Sequence, residues 1–499
     1  MNTTNNERTS LGKTLKRKDI WAFAFGAIVG WGWIMLTGGW VSSAGTIGAV
    51  IALLIGAVMA GIVGIIYAEM TPMLPLSGGE MVWAYRGGGY KFSWFTGWAI
   101  CFAYLAVAAW EGPAFANAVS YLIPIPNTIK LWTIAGFDVN LSWVTISMIG
   151  LAFTLFCHLK GMKLTAIFNT CAAVALVLGG LVFFGGSVTL GDIANTKPLF
   201  NNGIAGIEVV MMAAPAMFIG FDVIPQASEE MDIPLKQIGW MVIFAIALGA
   251  TWYIAMIVGV GFAVPDGALN DASIPLADAA SMVFGSKIAG YLLIVAGIGG
   301  ILTSWNAMLV GATRILFGMA RAKMLPIIFT KTNKANAPVA AIVLCGIVGF
   351  IAPLLGKNAL GWFVDASSLG AVVAYLCVVI SFILVRHKEP ELERPWKIKH
   401  WKLMAVLGVI ACVVFISLYM PFGSSALGIH EWVMVGLWVL LGVILAIYNS
   451  FKQKNVSAKE RELLLFDEKY ARPEVLNESS DSTDKKVTYI NSKIAREEV

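Results

Sequence analysis

The chain of 499 residues predicts an all-α integral membrane protein with twelve transmembrane helices, and three observations lead there. Only 13% of its residues are Asp, Glu, Lys or Arg, against about 25% in a soluble protein. Long uncharged runs recur: Ile47 to Ala68 is 22 residues, Leu164 to Gly191 is 28 and Leu403 to Ile429 is 27. Each can cross a hydrocarbon core of about 30 Å at 1.5 Å per residue. The third observation is the placement of Lys and Arg, which collect in alternate loops. With 58% hydrophobic residues and a mean hydropathy of +0.77, the composition excludes an ordinary water-soluble enzyme.

Taken in order, the spans fall near 20–42, 47–69, 92–123, 141–158, 164–187, 204–228, 238–264, 284–318, 338–356, 361–385, 403–422 and 431–451. Positively charged loops stay cytoplasmic. With the N-terminus inside, the inner loops hold sixteen Lys and Arg and the outer loops four, Lys130, Lys197, Lys287 and Lys357. Both termini are therefore expected in the cytoplasm of a multi-pass plasma (inner) membrane protein. The expected organisation is a cytoplasmic segment (1–19), a ten-helix core (20–385), a loop with helices eleven and twelve (386–451) and a polar tail (452–499).

The flanking segments carry little further signal. The N-terminal 18 residues are polar, end in Lys16-Arg17-Lys18 and lack the apolar stretch and cleavage site of a signal peptide. The tail has ten basic and ten acidic residues in 48, too polar to bury a core. Within it, Lys459 to Ala471 reads as one short amphipathic helix around Leu463, Leu464 and Leu465, lying on a surface. The six cysteines all sit in apolar stretches without CxxC spacing and read as small buried hydrophobes. None of the four histidines lies deep in a span, which argues against an intramembrane histidine relay.

Two spans are interrupted. The first contains Gly26, Gly30 and Gly32, with Gly38 and Gly39 beyond; each glycine costs about 1 kcal/mol of helix propensity relative to alanine. The sixth runs from Ala213 through Pro215, Gly220 and Asp222 to Pro225, and each proline removes a backbone donor. Unpaired backbone inside a membrane is tolerated where it lines a cavity or meets a ligand. The two spans stand five apart, at the first position of each half of a five-plus-five inverted repeat, and such paired interruptions point to a transporter's binding site. Glycines also serve close helix packing and prolines kinks; an embedded carboxylate and the matched positions favour the site. Free amides suit a carboxylate and free carbonyls an ammonium group. An amino acid carries both.

Several motifs resemble the amino acid–polyamine–organocation (APC) superfamily of permeases, whose members share the LeuT-like five-plus-five inverted repeat. Gly30-Trp31-Gly32-Trp33-Ile34 is similar to that family's first-helix Gly-x-Gly-Ile-Phe. Tyr67-Ala68-Glu69 with Pro75-Leu76-Ser77-Gly78-Gly79-Glu80 resembles the hairpin between helices two and three, and Gly97-Trp98 the third helix. Phe218-Ile219-Gly220-Phe221-Asp222, then Glu229-Glu230 and Pro234, resembles the sixth-helix signature. Arg314 with Ala320-Arg321 and Leu325-Pro326 is similar to the eighth-helix exit, and Arg394-Pro395-Trp396 to an Arg-Pro-Phe after helix ten. The resemblance covers about residues 15 to 450. It implies that a substrate carboxylate meets the amides around Val29, Gly30, Trp31 and Gly32 and that its amino group meets carbonyls near Ile28, Ala216 and Ile219. The substrate side chain would then face Ile100, Cys101 and Leu105, Phe218 and Phe221, and Met308.

Departures from the family pattern carry their own expectations. Relatives have a small hydroxyl residue where this chain has Trp31 and a gating aromatic where it has Ala216. Bulk moved from helix six to helix one would leave the pocket volume similar. An Ala216→Trp variant should then lose uptake, and normal uptake by that variant would rule the compensation out. The lysine that some relatives carry in helix five is absent from Leu164 to Gly191, with Leu176 near its position. Sodium bound by helix-one carbonyls with Thr303 and Ser304, or a proton on another acid, would take its place. Paired hydroxyls on a membrane helix also simply bond back to their own carbonyls.

Charges within spans need partners or a purpose, at about 2.5–3.5 kcal/mol each. Glu111 and Asp222 are the candidates for proton coupling; a structural hydrogen bond to freed backbone is the competing role, and two buried acids also suit a cationic substrate. Arg314, near a span end, can snorkel. Three outer-loop acids, Asp266, Asp271 and Asp278, read as a solvated face. Glu69, Glu80, Glu229 and Glu230 are expected to pair with loop arginines at an inner gate. No phosphate loop, catalytic motif or metal cluster occurs in the sequence, so neither enzyme activity, a cofactor nor nucleic-acid binding is expected. The sequence therefore predicts a secondary active permease moving an amino acid across the plasma membrane by alternating access, coupled to a proton or sodium ion or working by exchange. A permease for a polyamine or amino alcohol, and a non-transporting amino acid sensor, are the alternatives.

Overall fold

A chain this apolar satisfies its backbone within a bilayer only by closing each segment into a helix. The computed structural model describes residues 13–475, except 14, 126–128, 135, 271, 358, 424 and 455. Asp271 and the chain beyond 475 lie outside the described residues.

The first span is three helices, α1 (Arg17–Ile28), α2 (Gly32–Met35) and α3 (Thr37–Ala44). Then come α4 (Thr46–Met73), α5 (Glu80–Leu122), α6 (Leu141–Lys160) and α7 (Met162–Leu190). The sixth span is split into α8 (Gly203–Phe218) and α9 (Val223–Gln226). Helices α10 (Leu235–Ala263), α11 (Pro275–Val283), α12 (Lys287–Arg321), α13 (Val339–Ile351) and α14 (Ala359–Lys388) complete the core region. After these, α15 (Trp401–Tyr419), α16 (Ile429–Lys452) and α17 (Ala458–Tyr470) end the described chain. Among the described residues, ten helices are long and apolar enough to cross a membrane, eleven if the bent first pair counts as one span. The expected ninth span is shorter, an apolar helix over Val339–Leu355. A two-stranded antiparallel hairpin, β1 (Lys130–Ile134) and β2 (Phe137–Asn140), stands before α6.

Packing separates a core from a periphery. Helix α5 runs along both α12 and α14, α10 lies on α4, and α1 is wedged among α7, α10 and α12. In α14, 72% of the apolar window is buried, against 22% in α15 and 11% in α16. The last two spans are thus the least buried of the ten among the described residues.

Local details depart from expectation in instructive ways. Helix α8 continues through Pro215 and Pro225 sits inside α9, so the sixth span is broken by Gly220, at φ +139°. A proline without an N–H can remain in a membrane helix when neighbours satisfy the freed groups, and here the Ser368 hydroxyl accepts from the next amide, Ala216 N–H, at 3.1 Å. Cys171 is exposed on α7, unlike the other five cysteines, because that side of α7 faces away from the bundle. His158 is buried at the last turn of α6.

The tail helix docks; it does not lie free on a surface. Leu465 and Phe466 are fully buried, and Phe466 meets the Tyr85 ring at 5.9 Å and the Arg86 guanidinium at 5.1 Å. Arg86 also pairs with Glu389 at 2.7 Å and donates to Tyr470 O at 2.7 Å. Arg472 bridges Glu389 and Glu462. Removing a buried phenyl ring costs about 3–5 kcal/mol, so Phe466→Ala should release α17. Amide hydrogen exchange across 458–470 would then rise at least tenfold, and unchanged exchange would show that the ring does not hold the helix.

Candidate functional site

The two broken spans meet at their breaks. A Cβ built on Gly220 would lie 2.7 Å from both Ala27 C and Ile28 N, so the turn Ile219–Asp222 presses on the backbone at the end of α1. In the first break, Val29 N–H still donates to Phe25 O at 2.9 Å. The amides of Gly30, Trp31 and Gly32 have no hydrogen-bond acceptor among the described residues. The first-span glycines also serve approach: a Cβ at Gly30 would meet Ser304 Oγ at 2.6 Å, and one at Gly26 would meet Thr303 Cβ at 2.7 Å.

Carbonyls near the break are partly engaged. Tyr253 donates to Ile28 O at 3.1 Å, and Ile219 N–H donates to Ala216 O at 3.3 Å. Thr303 Oγ1 lies 3.1 Å from Gly26 O and 2.9 Å from Gly300 O. Leu176 from α7 packs at the same place, its Cδ1 3.0 Å from a Cβ built on Gly300, which itself would touch Gly30 O.

Glu111 is fully buried on α5 beside this break. The Ser304 hydroxyl donates to its Oε1, and Oε2 has no partner among the described residues. Among the described residues, no group of three or more His, Cys, Asp and Glu could hold a metal ion.

Asp222 faces a different neighbourhood. It accepts from its own turn, Gly220 N–H, at 2.7 Å and from Tyr375 OH at 3.0 Å, so both oxygens are hydrogen-bonded. Glu80 lies in the same buried cluster, receiving Tyr67 OH at 3.0 Å and the Gln226 amide. No arginine pairs with Glu80 among the described ion pairs, contrary to expectation, because its side chain points inward between α4 and α9. Tyr375 and Gln226 were not singled out from sequence; a lone tyrosine in the apolar run of α14 and a glutamine just past Pro225 were the available signal.

The other acids close the face at which α1 begins, where Leu15 N–H donates to Glu230 O at 3.0 Å. Glu69 pairs with Arg386 at 2.5 Å and Arg394 at 3.1 Å. Glu229 pairs with Arg321 at 3.1 Å, and Glu230 with Arg314 at 2.9 Å. Arg314 is buried in this pair, where the sequence suggested snorkelling.

On the opposite face a cavity of about 510 Å³ opens among α3, α5, α8 and α14 and descends to Trp31 and Trp110. Trp31 is the only predicted site side chain in its described lining. Its ring otherwise rests on Gly297, where a Cβ would come within 2.7 Å. Phe218 lies by Tyr253, with ring centroids 6.5 Å apart, and Phe221 between Tyr67 and Tyr375 at 5.1 and 5.4 Å. Both phenyl rings thus face α4, α10 and α14. Ile100, Cys101 and Leu105 on α5 and Met308 on α12 are all buried in the core.

Comparison with known proteins adds to this geometry. A sequence profile of a family described as amino acid permease matches residues 15–447. The methylthioribose transporter of Bacillus subtilis (strain 168) is 26% identical over 445 residues, 86% of this chain and 93% of its own. The branched-chain amino acid permease BcaP of that organism is 26% identical over 466 residues, 90% of this chain and 96% of its own. Its gamma-aminobutyric acid permease is 23% identical over 471 residues, 91% and 97% of the two chains.

Proposed function

Because the chain belongs to the amino acid permease family of multi-pass membrane transporters, we propose that it moves an amino acid across the plasma membrane by alternating access. The observation that carries this reading is the contact between the two breaks, Gly220 against Ala27 and Ile28. We read the bent first pair and the short Val339–Leu355 helix as spans, for twelve in all, with the LeuT-like inverted repeat in 20–385 and both termini cytoplasmic.

In this reading the substrate carboxylate takes the unpaired amides of Gly30, Trp31 and Gly32. Its ammonium group takes the carbonyl of Ile219 and the remaining lone pair of Ile28 O. Ile100, Cys101, Leu105 and Met308 bound the side-chain space. The cavity gives access from one face while four ion pairs close the other, the arrangement of a transporter waiting for substrate on its outer side.

Coupling is assigned to Glu111 and a proton. Its carboxylate lies beside the first break, Oε1 3.5 Å from a Cβ built on Gly30, and its Oε2 has no partner among the described residues, whereas both oxygens of Asp222 are occupied, one by Gly220 N–H and one by Tyr375 OH. The hydroxyls of Thr303 and Ser304 donate to Gly26 O and Glu111, which leaves their lone pairs open to a sodium ion, so the flux experiment compares the two ions directly. Purified protein in liposomes tests the reading through flux of a mixed labelled amino acid pool, in sodium-free buffer with an inward proton gradient. Gradient-driven accumulation is expected. Its absence in sodium-free buffer together with accumulation under sodium would overturn the proton assignment, and no amino acid flux under any gradient would overturn the function.

A second reading has one supporting fact: a relative of full-length coverage is named for methylthioribose, so membership alone does not tie the site to amino acids. Uptake that persists for carboxylate-blocked analogues would favour an amine or another neutral solute. Flux in a chain truncated before α17 would rule out a sensor that acts only through its tail.

A further inference from the structure

The cavity above Trp31 has a strongly aromatic wall with a single acid on it. Three indoles line it, Trp31, Trp40 and Trp110, together with Met35, Lys357 and Asp365. Its volume, about 510 Å³, is in the range of small-molecule sites. Tryptophans at a membrane surface commonly form an interfacial belt. These do not belong to one: Trp31, Trp40 and Trp110 are 1%, 4% and 6% exposed, enclosed by helices on every side.

Asp365, two turns into α14, supplies the charge. No hydrogen bond or ion pair reaches it among the described residues, and Lys357, on the same lining, makes no ion pair with it. Its electrostatic neighbour is another acid, Glu431 at the start of α16. Glu431 is itself buried, and its Oε2 is without a partner among the described residues. Asp365 on the lining, with Glu431 as its neighbour, and three indoles in the wall put negative charge and π electrons at this end, set against one cation, Lys357. A cation over an indole face gains about 0.5–1 kcal/mol when exposed and about 2 kcal/mol when desolvated, and a carboxylate within reach adds a charge-assisted hydrogen bond.

We propose that this cavity is a recognition site for the ammonium or guanidinium group of a cationic amino acid, with Asp365 as its counter-charge and the indoles as its walls. The inference rests on the amino acid transport reading and narrows it to substrates with a positively charged side chain. Met35 and Leu360 would line the methylene stem, and the backbone amides below, at Gly30 to Gly32, would stay available for the carboxylate.

Binding to purified protein in lipid nanodiscs tests this without requiring transport. The probes are L-lysine, its uncharged counterpart norleucine, and cadaverine, which has the amine but no carboxylate. Lysine should bind at least tenfold more tightly than norleucine. Asp365→Asn should bring the two to near parity, and Asp365→Glu should restore most of the difference, which separates loss of charge from loss of fold. Equal affinity for lysine and norleucine in the unmodified protein would overturn the proposal, as would an unchanged preference in Asp365→Asn. Asp365-dependent binding of cadaverine with no binding or flux of any amino acid would uphold the cation site and overturn the amino acid reading. Robust flux of neutral amino acids, indifferent to Asp365, would do the reverse.

Discussion

Gly220→Ala should abolish uptake while leaving the protein in the membrane. The residue sits at φ +139°, a conformation that side-chain-bearing residues avoid, and its Cβ would meet the backbone of Ala27 and Ile28 at 2.7 Å. Strain of that kind costs about 1–3 kcal/mol by itself. The overlap adds to it, because the atoms in the way are main chain and cannot rotate aside. Relief requires the Ile219–Asp222 turn to retreat from the first span, which separates the two breaks that would hold the substrate. Initial uptake rates in liposomes should fall below about a tenth of the unmodified value, equivalent to at least about 1.4 kcal/mol. Gly61→Ala is the control: nothing lies within 4 Å of its Cβ, and alanine favours the helix by about 1 kcal/mol. A Gly220→Ala protein transporting at the normal rate would show that the contact between the breaks is dispensable.

Glu111→Gln should separate transport from its driving force. The glutamine keeps the shape and can still accept the Ser304 hydroxyl, but it has no proton to bind and release. For one proton per substrate, each unit of pH difference supplies about 1.4 kcal/mol, about tenfold accumulation at equilibrium. In the variant the accumulation ratio should drop to about one, while exchange of labelled for unlabelled substrate continues. Accumulation that survives in Glu111→Gln would move the coupling role elsewhere, with Asp222 the remaining intramembrane candidate. Loss of exchange as well would mark Glu111 as part of substrate binding.

The positions of the spans were legible because hydropathy is a property of local composition: every expected span has a helix over most of its length. The interruption of the first and sixth spans was legible too, since glycine and proline report on backbone freedom wherever they stand. Gly220 stood in that stretch together with two prolines, and only the fold shows that the glycine alone makes the break: the helix runs through Pro215, where Ser368, far along the chain, accepts the neighbouring amide at 3.1 Å. Glu111 was visible as an acid in an apolar run; that one of its oxygens is taken by Ser304 and the other left free depends on how α5 meets α12. Asp365, close to the start of its span, carries no distinctive sequence signal, and only the walls around it give it a role.

Composition and order along the chain determined that this is a membrane protein of many helices, which of them are broken, and its family. Those features follow from each segment's own need to satisfy its backbone in lipid. The tertiary structure decided which acids are free and which are partnered, that Phe218 and Phe221 turn toward α4, α10 and α14, and that α17 docks through Leu465 and Phe466. Each of these depends on a partner more than ten residues away, and a hydrogen bond or a buried ring acquires its energy from that partner, not from the residue that carries it.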